Sequence, residues 1–267
     1  MRVGCCAYSY RQYLGSYRDP KDPKAGTMTL ESFMQRCSDM DLDGVELTAY
    51  YFASTDDAYL NGLKALACKL GLHISGAAVG NNFCQADPAE RAKQVADVKK
   101  WTDVAYKLGA PCLRVFAGPA PQGQTDETCM DWVVQCLKEC ADHAAPKGVI
   151  LALENHGGIT TRAEQVLSLI QSVGSEWVRV NLDTGNYRTD PYREIAQTVP
   201  YAAMAHVKTE TRTPDGKKEP LDYTKIIETL KQAGFRGYLD IEYEAAEDPM
   251  TAVPRFAKEL LRLTGRS

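Results

Sequence analysis

Short apolar segments alternate with longer segments of helical periodicity along the chain, and this alternation limits the possible folds more than any other feature. The apolar segments predict strands at residues 2–9, 44–48, 73–79, 112–117, 149–158, 178–183, 203–208 and 237–242. The segments between them predict helices at 30–37, 58–70, 88–108, 126–145, 161–173, 191–198, 222–233 and 249–263. Regular alternation of strand and helix predicts a parallel sheet.

The number of strand–helix units favours closure of that sheet. Eight units within 267 residues predict an α/β fold of the (β/α)8 TIM-barrel type, formed as a single domain over residues 1–267. A doubly wound open sheet is the alternative. The glycine motifs that bind phosphate in many open sheets are missing, both G-x-G-x-x-G after the first strand and G-x-x-x-x-G-K-[ST] elsewhere.

Composition argues against several classes of function. The formal net charge is −4, with 35 acidic and 31 basic residues, whereas a nucleic-acid-binding surface is usually basic. No apolar segment is long enough to cross a membrane. The N-terminus has no signal-peptide pattern, so we expect a cytoplasmic protein, with a preceding signal segment left open. The nine cysteines include no C-x-x-C pair, and we expect free thiols in a reducing compartment.

The fifth predicted strand ends in a group of polar residues. Its apolar run is followed by Glu154, Asn155 and His156 and then by two glycines. Because alternate residues of a strand share a face, Glu154 and His156 lie on the face opposite the leucines of this strand. The carboxyl ends of barrel strands carry the active sites of such folds, so these side chains are candidates for function.

Three later strands end in the same way. Asp183, His206 and Glu242 each occupy the more polar face of a predicted strand, close to its C-terminal end. If the apolar faces contact the helices, these residues and Glu154 converge inside one end of the barrel. Three carboxylates and an imidazole gathered there would repel one another and resist ionisation, and a divalent cation would relieve both effects.

The type of ligand indicates the type of cation. One histidine and three carboxylates, without a thiolate, suit Mn²⁺, Mg²⁺ or Co²⁺ better than a structural Zn²⁺ site. Lys208 and Arg212, just beyond the seventh strand, would offset the remaining negative charge and bind substrate oxygens.

Four short motifs resemble the xylose-isomerase-like TIM-barrel superfamily, and in particular its sugar phosphate isomerase/epimerase branch, which includes the ketose 3-epimerases. They are Leu-Glu-Asn-His at 153–156, Asn-Leu-Asp-Thr-Gly-Asn at 181–186, His-Val-Lys at 206–208 and Asp-Ile-Glu-Tyr-Glu at 240–244. Gly-Val-Glu-Leu at 44–47 is similar to the second-strand signature of that branch. The resemblance spans almost the whole chain.

The resemblance implies a sugar enzyme that uses a divalent metal ion, with Mn²⁺ expected first and Mg²⁺, Co²⁺ and Zn²⁺ as alternatives. It implies a metal held by Glu154, Asp183, His206 and Glu242, with both glutamates as acid/base groups on opposite faces of a bound sugar. Arg212 matches a substrate-binding arginine of ketose 3-epimerases. The expected reaction is isomerisation or epimerisation by proton abstraction α to a carbonyl, through an enediolate.

Two positions depart from the ketose 3-epimerase pattern. Asn186 stands where those enzymes usually have a histidine, and Thr209 follows Lys208 where many relatives have aspartate. We therefore expect substrate contacts that differ from those of a standard ketose 3-epimerase. A metal-dependent lyase or hydratase, acting on 3-keto-sugars or 3-keto-glycosides by β-elimination, is the alternative reaction, with His156 and Lys208 available to serve it.

Further candidates for substrate binding have structural explanations, which carry equal weight for Arg114, Phe116 and Glu46 and greater weight for Tyr8. Arg114 and Phe116 line the pocket or fill a layer of the barrel. Glu46 either contacts one of the residues that bind a cation or forms a salt bridge within the barrel. Tyr8 stacks on a sugar or packs at the rim. His156 and Asn186 complete the set of expected substrate contacts.

Two other functions are compatible with this scaffold. An abasic-site endonuclease would belong to the same superfamily, but the four histidines and the negative charge of the chain argue against a histidine-rich zinc cluster that acts on DNA. A sugar-binding barrel without turnover is the non-enzymatic alternative. The expected partner is a small sugar, with no nucleic acid and no membrane, and a homo-oligomer is left open.

Overall fold

Eight parallel strands close into a barrel in the computed structural model, which describes residues 1–17 and 23–266. The barrel strands are β1 (Arg2–Cys6), β2 (Gly44–Thr48), β3 (His73–Ala78), β4 (Cys112–Val115), β5 (Ile150–Glu154), β6 (Val178–Asp183), β7 (Ala202–Val207) and β10 (Tyr238–Ile241). Their order around the barrel is β1-β10-β7-β6-β5-β4-β3-β2. The expected TIM barrel is confirmed, and the open sheet was the wrong alternative.

Helices follow the strands in the predicted order. They are α1 (Leu30–Asp39), α2 (Asp57–Leu70), α3 (Pro88–Leu108), α4 (Asp126–Ala144), α5 (Ala163–Val173), α6 (Pro191–Thr198), α7 (Tyr223–Gln232) and α8 (Pro249–Thr264). Several begin at side chains that accept a hydrogen bond from the first turn, such as Thr29 and Thr125. Among the described helices, none is long and apolar enough to cross a membrane.

The two faces of the strands separate as the alternation predicts. Leu151 and Leu153 of β5 belong to the apolar core between the barrel and the helices. Ala152 instead packs with Cys112 and Met204 in a small apolar cluster, which these alternate positions place inside the barrel. Polar residues at the C-terminal ends of the strands lie above this layer.

The cysteines behave as small apolar residues. All nine are free, and eight of them are buried, with Cys68 the exposed exception. The three cysteines of α4 are all buried on its core-facing side. The expectation of free thiols is therefore confirmed.

An antiparallel hairpin between β7 and α7 was missing from the prediction. Its strands are β8 (Glu210–Arg212) and β9 (Lys218–Pro220), joined through residues 213–217. Each strand has three residues, too few to produce an alternating apolar pattern. Strict alternation of strand and helix was therefore wrong at this point, and the hairpin covers one side of the barrel mouth.

β1 and β5 end three and four residues earlier than predicted, which are the largest such differences among the strands. β1 stops at Cys6 because Ala7–Tyr10 forms a 3-10 helix, in which the Ser9 hydroxyl donates to the carbonyl of Ile241. β5 stops at Glu154, so His156 lies on the loop that follows and not on the strand.

Candidate functional site

Four side chains meet inside the barrel at the C-terminal ends of its strands. Ligand atoms of Glu154, Asp183, His206 and Glu242 all lie within 4.8 Å of one another. Nδ1 of His206 is 3.6 Å from Oε2 of Glu154 and 3.6 Å from Oε2 of Glu242. These residues are at most 6% exposed. The structure therefore brings together all four predicted ligands.

Burial works against ionisation of the clustered carboxylates. Burial raises the pKa of Glu154 to about 7 and that of Asp183 to about 7 as well. Burial also opposes the charged form of Glu242, but Lys208 and His206 outweigh it and hold the pKa of Glu242 well below its usual value. Near neutral pH the cluster therefore shares protons unless further positive charge enters.

Two buried cations contact the cluster directly. Nζ of Lys208 lies 3.1 Å from Oδ2 of Asp183 and 3.3 Å from Oε2 of Glu242. The guanidinium of Arg114 lies 3.2 Å from Oε2 of Glu154 and donates to the carbonyl of Val79. Both cations are less than 10% exposed. Each carboxylate of the cluster is thus held in place by a long basic side chain.

The ring of His206 is oriented from both sides. Its Nε2 is 2.9 Å from Oε1 of Glu46, and its Nδ1 is 3.1 Å from the amide nitrogen of Asn181. An amide N–H can only donate, so in the neutral ring this arrangement corresponds to a proton on Nε2 and a lone pair on Nδ1, which faces the carboxylates. Glu46, for which the sequence offered two explanations, contacts the imidazole inside the barrel.

A second group of potential ligands consists of Cys6, Glu46 and His206. Burial raises the pKa of the Cys6 thiol well above its usual value, and the neighbouring Glu46 adds to the shift. Burial opposes the charged form of His206, but Cys6, Glu46 and Glu242 raise its pKa well above normal. A neutral thiol is a poor ligand, so this trio serves better to orient His206 than to hold a second ion.

The backbone of Asp183 is held by a side chain that the sequence analysis did not single out. The amide of Asn155 donates to the carbonyl of Asp183 at 2.9 Å and accepts from its N–H at 2.8 Å. Asn81 forms the same pair of bonds with the backbone of Phe116, at 2.8 and 2.9 Å. In both cases an asparagine that follows one barrel strand fixes the end of the next strand.

Most of the remaining candidates lie along the rim. The ring of His156 stacks at a tilt on Phe116 with centroids 4.3 Å apart, and the guanidinium of Arg114 lies 3.9 Å from the centre of Phe116. Asn186 donates to Oε1 of Glu154 at 3.3 Å and accepts from Nζ of Lys208 at 3.4 Å.

Arg212 and Tyr8 lie on segments at the barrel rim. Arg212 is exposed on β8 and lines a pocket of about 270 Å³ that Lys208 and Asn186 also line. Tyr8 is half-buried, and the guanidinium of Arg11 lies 5.1 Å from the centre of its ring.

A larger cavity, of about 1360 Å³, lies between α8 and the hairpin. Its apolar lining includes Tyr223, Tyr243 and Phe256, but none of the four clustered residues. Buried ionisable groups with shifted pKa values mark reactive sites better than cavity size does. We therefore place the candidate site at the carboxylate cluster.

The cluster fits a divalent cation. Oδ2 of Asp183 is buried and accepts no well-aligned hydrogen bond from the described residues, although Nζ of Lys208 lies 3.1 Å away. Carboxylate oxygens with one imidazole nitrogen form a ligand set typical of Mn²⁺ or Mg²⁺. A cation held there would give this oxygen a further positive partner and allow all three carboxylates to ionise.

A family model described as xylose isomerase-like TIM barrel matches residues 34–262. A putative hydroxypyruvate isomerase of Mus musculus is 27% identical over 164 residues, which cover 54% of this chain and 57% of that protein. The L-ribulose-5-phosphate 3-epimerase UlaE of Salmonella paratyphi B is 25% identical over 180 residues, which cover 63% of each chain. The match thus spans less than two thirds of the length of these curated relatives.

The fold also resembles solved structures. A xylose isomerase-like TIM barrel protein from Mycobacterium smegmatis, solved in complex with magnesium, superposes with a TM-score of 0.74. The two proteins are 17% identical, and the superposition covers 98% of this chain and 96% of the other. At this level of identity the likeness concerns the fold.

Proposed function

The chain belongs to the xylose isomerase-like TIM barrel family, and from this membership and the buried cluster we propose that it is a divalent-metal-dependent sugar isomerase or epimerase. The observation that carries the proposal is the convergence of Glu154, Asp183, His206 and Glu242 within 4.8 Å. The names of two relatives, a hydroxypyruvate isomerase and a ketose-phosphate 3-epimerase, support the same class of reaction.

Glu154, Asp183, His206 and Glu242 would hold the ion, with Mn²⁺ preferred and Mg²⁺ or Co²⁺ as alternatives. The chemistry that such an ion supplies when bound is Lewis acidity, which makes the C–H bond beside a sugar carbonyl more acidic and stabilises the resulting enediolate. The related fold from Mycobacterium smegmatis was solved with magnesium, which is consistent with this choice of cation.

Glu154 and Glu242 are the proposed acid/base pair. Glu154 ends β5, and Glu242 directly follows β10. Two other strands, β6 and β7, separate β5 from β10 around the barrel. One glutamate removes the proton from the carbon next to the carbonyl, and the other returns a proton to the opposite face of that carbon. If the proton were instead removed from one carbon and returned to the neighbouring carbon on the same face, the reaction would be an isomerisation.

The surrounding residues aim this pair. Arg114 lies against Glu154, and Asn186 donates to the other oxygen of the same carboxylate. Lys208 contacts Glu242 and Glu244. Because Arg114 and Lys208 are buried, their positive charges act in a medium of low polarity and favour the charged form of each glutamate.

β-Elimination on 3-keto-sugars or 3-keto-glycosides is the second candidate reaction. It is favoured by His156, which stands on the rim near Glu154 and stacks on Phe116. Burial lowers the pKa of His156, and the positive charges of Arg114 and Lys208 lower it further, so the ring is neutral near pH 7. A neutral imidazole at this position could accept or deliver the proton that accompanies departure of a leaving group.

Deuterium exchange tests the proposal. The metal-loaded protein would be incubated in D₂O with uncharged ketoses, ketose phosphates and 3-keto-glycosides, and the sugars analysed by NMR. Deuterium beside the carbonyl, with a new epimer or isomer, is the expected result. An unsaturated product would establish the lyase instead. Bound metal without exchange on any sugar would contradict the proposal and leave a sugar-binding protein.

A further inference from the structure

A small pocket rich in basic residues opens beside the carboxylate cluster. It has a volume of about 270 Å³ and lies between the loop after β6 and the hairpin β8–β9. Five of its lining residues are basic, namely Arg11, Arg188, Lys208, Arg212 and Lys218, and two are acidic, Glu210 and Glu244. The pocket therefore has a formal charge of +3 (five minus two), although the whole chain has a net charge of −4.

Two residues connect this pocket to the cluster. Lys208 lines the pocket and contacts Asp183 and Glu242 through its Nζ. Asn186 also lines the pocket and donates to Glu154. The basic pocket therefore lies directly beside the clustered carboxylates, with Lys208 and Asn186 shared between them.

The pocket is built on a fixed framework. The buried hydroxyl of Thr211 on β8 lies 3.0 Å from the carbonyl of Gly185 and 2.9 Å from that of Tyr187. A Cβ added at Gly185 would lie 2.7 Å from the carbonyl oxygen of Glu210, so the loop and the hairpin approach too closely for a larger residue. The pocket walls on these two segments are thus held together.

Three of the cations have donors to spare. Arg188 is exposed, and its side chain has no hydrogen-bond or ion-pair partner among residues 1–17 and 23–266. Arg212 makes one weak bond, 3.5 Å from the carbonyl of Gly216. Arg11 uses one of its guanidinium nitrogens to donate a hydrogen bond to the carbonyl of Tyr243. Lys218, by contrast, is paired with Glu210.

We propose that this pocket binds an anionic group, a phosphate or a carboxylate, at the end of the substrate remote from the reacting carbonyl. The proposal rests on the proposed function, since it assumes that the substrate occupies the cluster. Guanidinium groups bind phosphate and carboxylate oxygens through paired N–H donors, and three of them at one pocket favour an anion over a neutral sugar. Its volume of about 270 Å³ is large enough to hold such a group.

Binding of small anions tests the pocket directly. Inorganic phosphate, methyl phosphate and acetate would be titrated by calorimetry into the magnesium-loaded full chain, for wild type, Arg188→Ser and Arg212→Ser. Arg193→Ser is the matched control, because Arg193 is exposed on α6 and does not line the pocket. We expect each pocket variant to bind the preferred anion about tenfold more weakly or worse, and the control to bind as wild type does.

The tighter of methyl phosphate and acetate identifies whether a phosphate or a carboxylate is the natural group. Equal binding to wild type and both pocket variants would overturn the proposal, since the anion would then contact the metal ion alone. Failure of all three anions to bind wild type would overturn it as well.

The deuterium-exchange experiment distinguishes failure of the pocket proposal from failure of the proposed function. If uncharged ketoses exchange in D₂O while no anion binds, the pocket proposal fails and the reaction class stands. If anions bind as expected while no sugar exchanges, the pocket stands and the reaction class fails.

Discussion

Nε2 of His206 lies 2.9 Å from Oε1 of Glu46, with both side chains almost completely buried. The contact joins β2 to β7 through the barrel interior, and it leaves Nδ1 of His206 directed at Glu154 and Glu242. A carboxylate behind a ligating imidazole fixes its tautomer and increases its basicity. The glutamate of the 44–47 motif is therefore part of the same constellation as the four proposed ligands.

Glu46→Gln should weaken metal binding. The variant keeps the shape of the side chain but removes the charge that fixes the proton on Nε2, and changes of this kind typically reduce metal affinity by about 10–100-fold. Competition with a fluorescent chelator would measure the affinity. Glu31→Gln on α1 is the control, since Glu31 lies outside the cluster. An unchanged affinity in Glu46→Gln would show that Glu46 does not orient the ligand.

Asn155→Ala should lower both stability and metal affinity. It leaves the buried N–H and carbonyl of Asp183 without partners, at roughly 1–3 kcal/mol for each group, and frees the ligand to move. Asn81→Ala is a matched control because Asn81 makes the same two bonds to the backbone of Phe116. Denaturant unfolding should show a similar loss in both variants, whereas metal titration should show weaker binding in Asn155→Ala alone. Equal metal affinities would contradict this role.

Chelation of the metal should lower the melting temperature. An ion present at 100 times its dissociation constant stabilises the folded state by about 2.7 kcal/mol. In a chain of this size, each kcal/mol of stability shifts the melting temperature by roughly 2–4 °C. Calorimetry before and after chelation, with metal content measured by mass spectrometry, would give the shift. Chelator presaturated with calcium controls for effects of the chelator itself. No shift after verified removal would contradict the proposed cluster.

Asp240→Asn should stabilise the metal-free protein increasingly as the pH rises. Burial raises the pKa of Asp240 to about 7, with Glu46 adding to the shift and His206 opposing it. Between about pH 4 and pH 7 the folded protein keeps this proton while the unfolded chain has released it, so wild type loses stability as the pH rises. Each unit of pKa shift corresponds to about 1.4 kcal/mol.

The variant has no such proton, and its amide can still accept from Ser75. Its advantage over wild type should therefore grow from pH 4 to pH 7 and remain constant above pH 7. Denaturant unfolding of both proteins with chelator present, at pH 5 and at pH 8, would measure the two differences. An advantage that is the same at both pH values would show that Asp240 does not hold a proton in the folded state.

The sequence predicted the barrel and the clustering of the four side chains for a simple physical reason. Side-chain direction alternates along a strand, and the carboxyl ends of parallel strands meet at one end of a barrel, so Asp183 at the end of β6 and His206 on β7 had to approach each other. The predicted bounds of β2 and β6 match those observed. The family suggested by the motifs is also confirmed.

Contacts between loops could not be predicted in this way. The position of Asn155 beside the backbone of Asp183 depends on the register between two strands and on where β5 ends. The meeting of Arg11, Arg188 and Arg212 depends on two separate loops and on a hairpin whose strands have three residues each. No local pattern in the sequence carries this information.

Isotope exchange by glutamate variants tests the central claim most directly. Wild type, Glu154→Gln and Glu242→Gln, each with its metal content verified, would be incubated in D₂O with the best sugar from the substrate panel. Glu176→Gln, an exposed residue outside the cluster, is the control. We predict that both cluster variants keep a bound ion but lose product formation by at least about 100-fold. One of them should still exchange deuterium into the starting sugar, because its remaining glutamate serves one face of the carbon. Product formed at the wild-type rate by either cluster variant would contradict the account.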